Sequence, residues 1–143
     1  MKSVSFYYVP DISKDSITGK LVEILRPKIP IRLSMNHKMF PQIIECLFDT
    51  GSDRNLFPGE VARYLGIKVE KGKPQKIGGI GNSEPIDAYT HRVKIYVGNY
   101  SFDTEIDFSF KHKLPILGRI GFMDRYESIE VNEKKKYIKL THA

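Results

Sequence analysis

Apolar and polar residues alternate in short runs along this chain, and turn residues separate the runs. Val4, Phe6 and Tyr8 alternate with Ser3, Ser5 and Tyr7, which predicts a strand over residues Ser3–Val9. A polar loop from Pro10 to Gly19 is expected next, then extended segments at Leu21–Leu25 and Ile29–Leu33, where Pro27 and Pro30 disfavour helix. Residues 1–26 read as an added arm or hairpin ahead of a core of residues 27–143. Ile43–Phe48 is a mostly apolar run of strand length that ends at Asp49-Thr50-Gly51-Ser52, where a buried strand gives way to a tight loop. Pro58–Leu65 predicts one short helix, with Pro in its first turn and Gly66 as its stop.

His91–Phe108 is the clearest hairpin, turning at Gly98-Asn99. Pairing outward from that turn sets Lys94 opposite Asp103 and Arg92 opposite Glu105. The other face then pairs Ile95 with Phe102 and Val93 with Thr104. Asp103, Glu105 and Asp107 read as the solvated side of this hairpin. Ser128–Val131 and Lys136–Leu140 flank Asn132-Glu133-Lys134-Lys135 and predict a second hairpin, with the basic run Lys134–Lys136 as a solvated turn. The pattern is that of an all-β domain with one or two short helices.

Composition narrows the function classes. At 143 residues, 41% hydrophobic and 28% charged, the chain is expected to form a single domain around one core. Its net charge of +6 comes from basic residues scattered among acidic ones, without a stacking-aromatic or recognition-helix pattern, so nucleic acid is not an expected partner. Cys46 is the only cysteine; it reads as a small buried hydrophobe and fits a reducing compartment. No apolar run approaches bilayer length and the N-terminus lacks a signal-peptide pattern, so no membrane is expected and a cytoplasmic location is. His37, His91, His112 and His142 have no metal-ligand spacing, and no metal is expected.

Leu47-Phe48-Asp49-Thr50-Gly51-Ser52 resembles the active-site loop of aspartic proteases: an apolar strand, Asp-Thr-Gly, then a small residue. Ile116-Leu117-Gly118-Arg119 resembles the paired-apolar-Gly segment of the retroviral enzymes, where Arg and a short helix also follow. Between them, Lys76-Ile77-Gly78-Gly79-Ile80-Gly81-Asn82 has the composition of a glycine-tipped flap. The three segments stand in family order, so the chain is similar to retropepsin-like aspartic proteases over about residues 27–140. That resemblance implies a retropepsin-like closed barrel or sandwich and an endopeptidase that needs no cofactor.

The chemistry explains why these residue types are required. Hydrolysis of a peptide bond without a metal or a nucleophilic side chain needs one group to deprotonate water and another to protonate the carbonyl oxygen. Two close carboxylates sharing one proton do both. This chain holds one Asp-Thr-Gly, so the resemblance implies a homodimer in which Asp49 of each copy meets its twin across a twofold axis. It also implies that Thr50 lies beneath the dyad and bonds the opposite chain's loop, and that Gly51 lets the backbone approach substrate. Ser52 donates to the Asp49 carboxylate, and Asp53 pairs with Arg119. Ile116, Leu117 and Gly118 form the second apolar-Gly element, while Ile77, Gly78, Gly79, Ile80, Gly81 and Asn82 cover an extended polypeptide substrate.

The N-terminal arm departs from the retroviral pattern, in which chain termini build much of the dimer interface. An alternative is a dimeric retropepsin-fold module that grips a peptide or protein without cutting it, against which the intact Asp49-Thr50-Gly51 argues. A phosphate-binding turn at Gly79-Ile80-Gly81 lacks the third glycine and the following helix. An actin-like nucleotide loop requires two such loops and a much longer chain.

Overall fold

The computed structural model describes residues 1–78 and 84–143. Thirteen strands are defined among them: β1 Lys2–Tyr7, β2 Val9–Lys14, β3 Leu21–Arg26, β4 Lys28–Met35, β5 Lys38–Met39, β6 Ile44–Phe48, β7 Leu56–Pro58, β8 Lys73–Ile77, β9 Ile86–Val97, β10 Tyr100–Ser109, β11 Ile116–Leu117, β12 Ser128–Asn132 and β13 Tyr137–His142. One short helix, α1 at Gly59–Tyr64, begins after Pro58 and ends before Gly66, whose φ of 78° only glycine adopts without strain. The short helix expected after Arg119 is a single 3-10 turn at Met123–Arg125. Among the described residues, no helix is long and apolar enough to cross a membrane.

Six strands close on themselves in the order β4-β6-β11-β7-β10-β9, with β9 pairing back onto β4 through Arg32–Tyr96, Leu33–Ile95 and Ser34–Lys94. Alternation along these strands directs Ile29, Ile31 and Leu33 of β4, Cys46 and Phe48 of β6, and Val93, Ile95 and Val97 of β9 into one buried core. The expected all-β architecture is therefore observed as a closed barrel. The β9–β10 register is the one read from sequence: Lys94 opposes Asp103, Arg92 opposes Glu105, Ile95 opposes Phe102 and Val93 opposes Thr104.

Two expectations change. Asp107 is not on a solvated face, because β7 lies alongside β10 in parallel, Leu56 against Asp107, and leaves the carboxylate 0% exposed. The segment from Pro10 onward is not a loop, because Val9–Lys14 pairs antiparallel with Leu21–Arg26. The polar residues form only the turn between them. There, Asp15 accepts from the amides of Ile17 and Thr18 at 2.8 Å, and Gly19 takes a φ of 71°.

β1 belongs to a different layer. It pairs along its whole length with β13, from Lys2 against His142 to Tyr7 against Tyr137, and β12 completes a three-stranded sheet. Tyr8, Ile138 and Leu140 of this sheet region join the core, with Val4, Phe6 and Ile129 packed against it.

Candidate active site

Asp49 directly follows β6, and three consecutive amides fix that junction. Leu47 donates to the carbonyl of Pro115 at 2.8 Å, Phe48 to Pro27 at 2.8 Å, and Asp49 to Leu117 at 3.1 Å. The parallel pairing of β11 with β6, Ile116 against Leu47 and Leu117 against Phe48, thus brings the two sequence motifs side by side. Asp49 is half-buried, and its carboxylate accepts the Gly51 amide at 2.9 Å within the loop. Thr50 and Gly51 are exposed.

Gly118 is required by contact. A Cβ there would stand 2.5 Å from the Arg54 carbonyl oxygen and 2.8 Å from its nitrogen. In that close approach Gly118 donates its amide to Oδ1 of buried Asn55 at 2.9 Å, while Nδ2 of Asn55 donates to the Glu105 carbonyl at 3.1 Å. One side chain thereby ties the two motifs to β10. The amides of Arg119 and Ile120 donate to Ser52 and Asp53 at 2.9 and 2.8 Å, which extends the stitching.

Two side-chain expectations fail. The Ser52 hydroxyl donates to the carbonyl of Arg54 at 2.8 Å rather than to Asp49, whose carboxylate accepts the Gly51 amide instead. Asp53 and Arg119 form no ion pair: the backbone bonds already join their segments, and another guanidinium meets the buried acid. Arg54 binds Asp107 in two-pronged fashion, Nε to Oδ2 at 2.7 Å and Nη2 to Oδ1 at 2.9 Å, and the Thr90 hydroxyl adds a bond to Oδ1 at 2.6 Å. Hydrogen bonding to the Asp107 carboxylate first, and then the negative charges of Asp107 and Glu105, push the Arg54 pKa above its ordinary value.

Arg54 and Asp107 line the same cavity as Asp49. It measures about 670 Å³, within the usual range for a binding cleft. Gly51, Ser52, Asp53 and Ile116 line it from the loop side, and Ile77, Gly78, Glu84 and Ile86 from the β8–β9 side, where Ile77 pairs with Ile86. Of the expected flap, Ile77 and Gly78 thus border the cavity; Gly79, Ile80, Gly81 and Asn82 lie outside the described residues.

No protein-family model matches the chain, and neither does any curated protein. A solved retropepsin-like aspartic protease from Rickettsia conorii matches across 99% of this chain and 96% of its own, at a TM-score of 0.60 and 17% identity. The fold is retropepsin-like. EIAV protease complexed with the inhibitor HBY-793 matches over 66% of this chain and 82% of its own, at a TM-score of 0.47 and 20% identity.

Within this retropepsin-like barrel, sequence reasoning missed Arg54, Asn55 and Thr90 and misread Asp107 as solvated. Only the position of Arg54 and Asn55 directly after the Asp49 loop could have drawn attention to them. Cys46 is fully buried as expected, and burial pushes its thiol well above the usual range. Among the described residues, no group of three or more His, Cys, Asp or Glu side chains is placed to hold a metal.

Proposed function

We propose that this chain is an aspartic endopeptidase that hydrolyses extended polypeptide with water activated by Asp49 of two copies. The observation that carries the reading is the place of Asp49. Its carboxylate stands on a loop clamped by both sequence motifs, at the wall of a cavity bordered by the β8–β9 hairpin of a retropepsin-like fold. One carboxylate of the pair takes a proton from water as the water oxygen bonds the scissile carbonyl carbon, and the other gives its proton to the carbonyl oxygen. Collapse of that adduct breaks the C–N bond and delivers a proton to the leaving nitrogen. Substrate lies as an added strand between the catalytic loop and β8–β9. A cytoplasmic setting accords with the lone, buried Cys46.

The test compares wild type with Asp49→Asn on a broad peptide mixture from about pH 3 to about pH 8, at several protein concentrations. Cleavage is expected to fall by about a thousandfold or more in the variant, with its circular dichroism unchanged. Wild-type activity per chain is expected to fall on dilution. Cleavage that survives the substitution removes Asp49 from the mechanism; peptide that is bound and left intact by the wild type assigns the fold to a gripping module instead.

A further inference from the structure

The hairpin Val9–Arg26 exposes several large apolar side chains, interspersed with Lys14 and Glu23. Ile12, Leu21 and Leu25 occupy one of its faces and are 63%, 75% and 46% exposed. Among the described residues, β2 and β3 pair with each other alone. A two-stranded ribbon by itself is marginal in water, so side chains of this kind at these positions call for a covering surface.

Its root identifies that surface. The ribbon returns to the barrel through Arg26, whose Nε is 3.1 Å from the Asp11 carboxylate, and Lys28 reaches the same carboxylate at 3.4 Å. Between them, the carbonyl of Pro27 accepts the Phe48 amide at 2.8 Å, and the next residue is Asp49. The arm therefore springs from the strand end where, on the reading above, a second copy must arrive to complete the dyad. Leu114 and Ile120, both exposed, flank the same loop: Leu114 precedes Pro115, which bonds Leu47, and the amide of Ile120 bonds Asp53. A twofold interface must carry both an arm and its receiver on each copy, and this face has apolar groups in both places. The ribbon's three basic and three acidic side chains cancel, so it has no net charge to draw it to an anionic membrane or nucleic acid. The terminal strand β1 already has β13 of its own chain along one edge, so that pairing is not available to a second copy.

We infer that the Val9–Arg26 hairpin is the arm by which two copies of this chain clasp one another, with the Ile12–Leu21–Leu25 face packed on the second copy. The inference rests on the two-copy dyad proposed above.

Sedimentation equilibrium of the full chain tests it, with wild type, Asp49→Asn, and the double substitution of Leu21→Asp with Leu25→Asp. Wild type and Asp49→Asn are expected to dimerise alike. The arm variant is expected to dissociate about a hundredfold more readily, to regain cleavage at high concentration, and to keep the wild-type circular dichroism when both are dilute. If the aspartates prevent folding, Leu21→Ser with Leu25→Ser reads the same equilibrium, with a shift of about tenfold expected. An arm variant that dimerises like wild type overturns the inference; should it also cleave normally while Asp49→Asn does not, the dyad stands without the arm. Unchanged dimerisation with lost cleavage of long polypeptide gives the arm to substrate and overturns it too. A wild type that cleaves as a strict monomer overturns arm and dyad together.

Discussion

The loop bearing Asp49 and the Val9–Arg26 hairpin start one hydrogen bond apart, yet they are held by opposite means. Leu47 and Asp49 find carbonyls on the Pro115–Leu117 segment and Phe48 finds one on Pro27, and Gly118 and Asn55 close the loop against β10. The hairpin's strands bond to one another and present apolar side chains to solvent. A reactive carboxylate must be placed within a fraction of an ångström, so its support has to exist before any partner arrives. A clasping surface is under no such demand, because the partner itself supplies the final order. The contrast separates what the barrel fixes alone from what assembly would fix.

The sharpest break of that contrast is Gly118→Val. Its side chain would meet the Arg54 backbone at under 3 Å, and backbone there has nowhere to retreat. A loss of about 3 kcal/mol or more in urea unfolding is expected; a loss below about 1 kcal/mol would show a loop far less fixed than its bonds suggest. Next comes Asp107→Ala, which strands the Arg54 guanidinium. Because Arg54 is partly solvated, the expected loss is about 2 kcal/mol, below that of a fully buried pair. Arg119→Ala, lacking any ion pair with Asp53, should change stability by under about 0.5 kcal/mol by the same measurement.

The smallest effect belongs to the arm's root. The Asp11 carboxyl is held below its ordinary pKa of 3.8, first by the Ile12 amide and then by Lys28 and Arg26. A depressed folded value means that this support is present above 3.8 and is lost as pH falls through the folded value. Hydrogen exchange of the β2–β3 amides should therefore quicken below about pH 4 relative to the barrel, and Asp11→Asn should remove that added pH dependence.

How much could be read in advance follows from the range of the interactions. The β9–β10 register was legible because one Gly98-Asn99 turn and strict alternation determine it locally. The Asp49 and Gly118 motifs were legible as types, since each carries its requirement in consecutive residues. Asp107 was not: it continues the alternation of Asp103 and Glu105, and only the parallel arrival of β7 from some fifty residues earlier in the chain buries it. Arg54 then reaches it because the loop is turned toward β10, so the ion pair read between Asp53 and Arg119 is replaced by one between other residues. The hairpin was half legible. Its Leu21–Leu25 strand was seen, but Pro10 and the polar run after it suggested a loop, although an edge strand accommodates proline.

The pairing of Lys2 with His142 has a topological consequence. Strands β1 and β13, the first and last of those described, lie side by side, about 5 Å apart across one strand pair. A few residues spliced between Ala143 and Met1 would turn the molecule into a ring without redirecting any strand, and a cut placed at another surface turn would give a permuted chain with the same barrel.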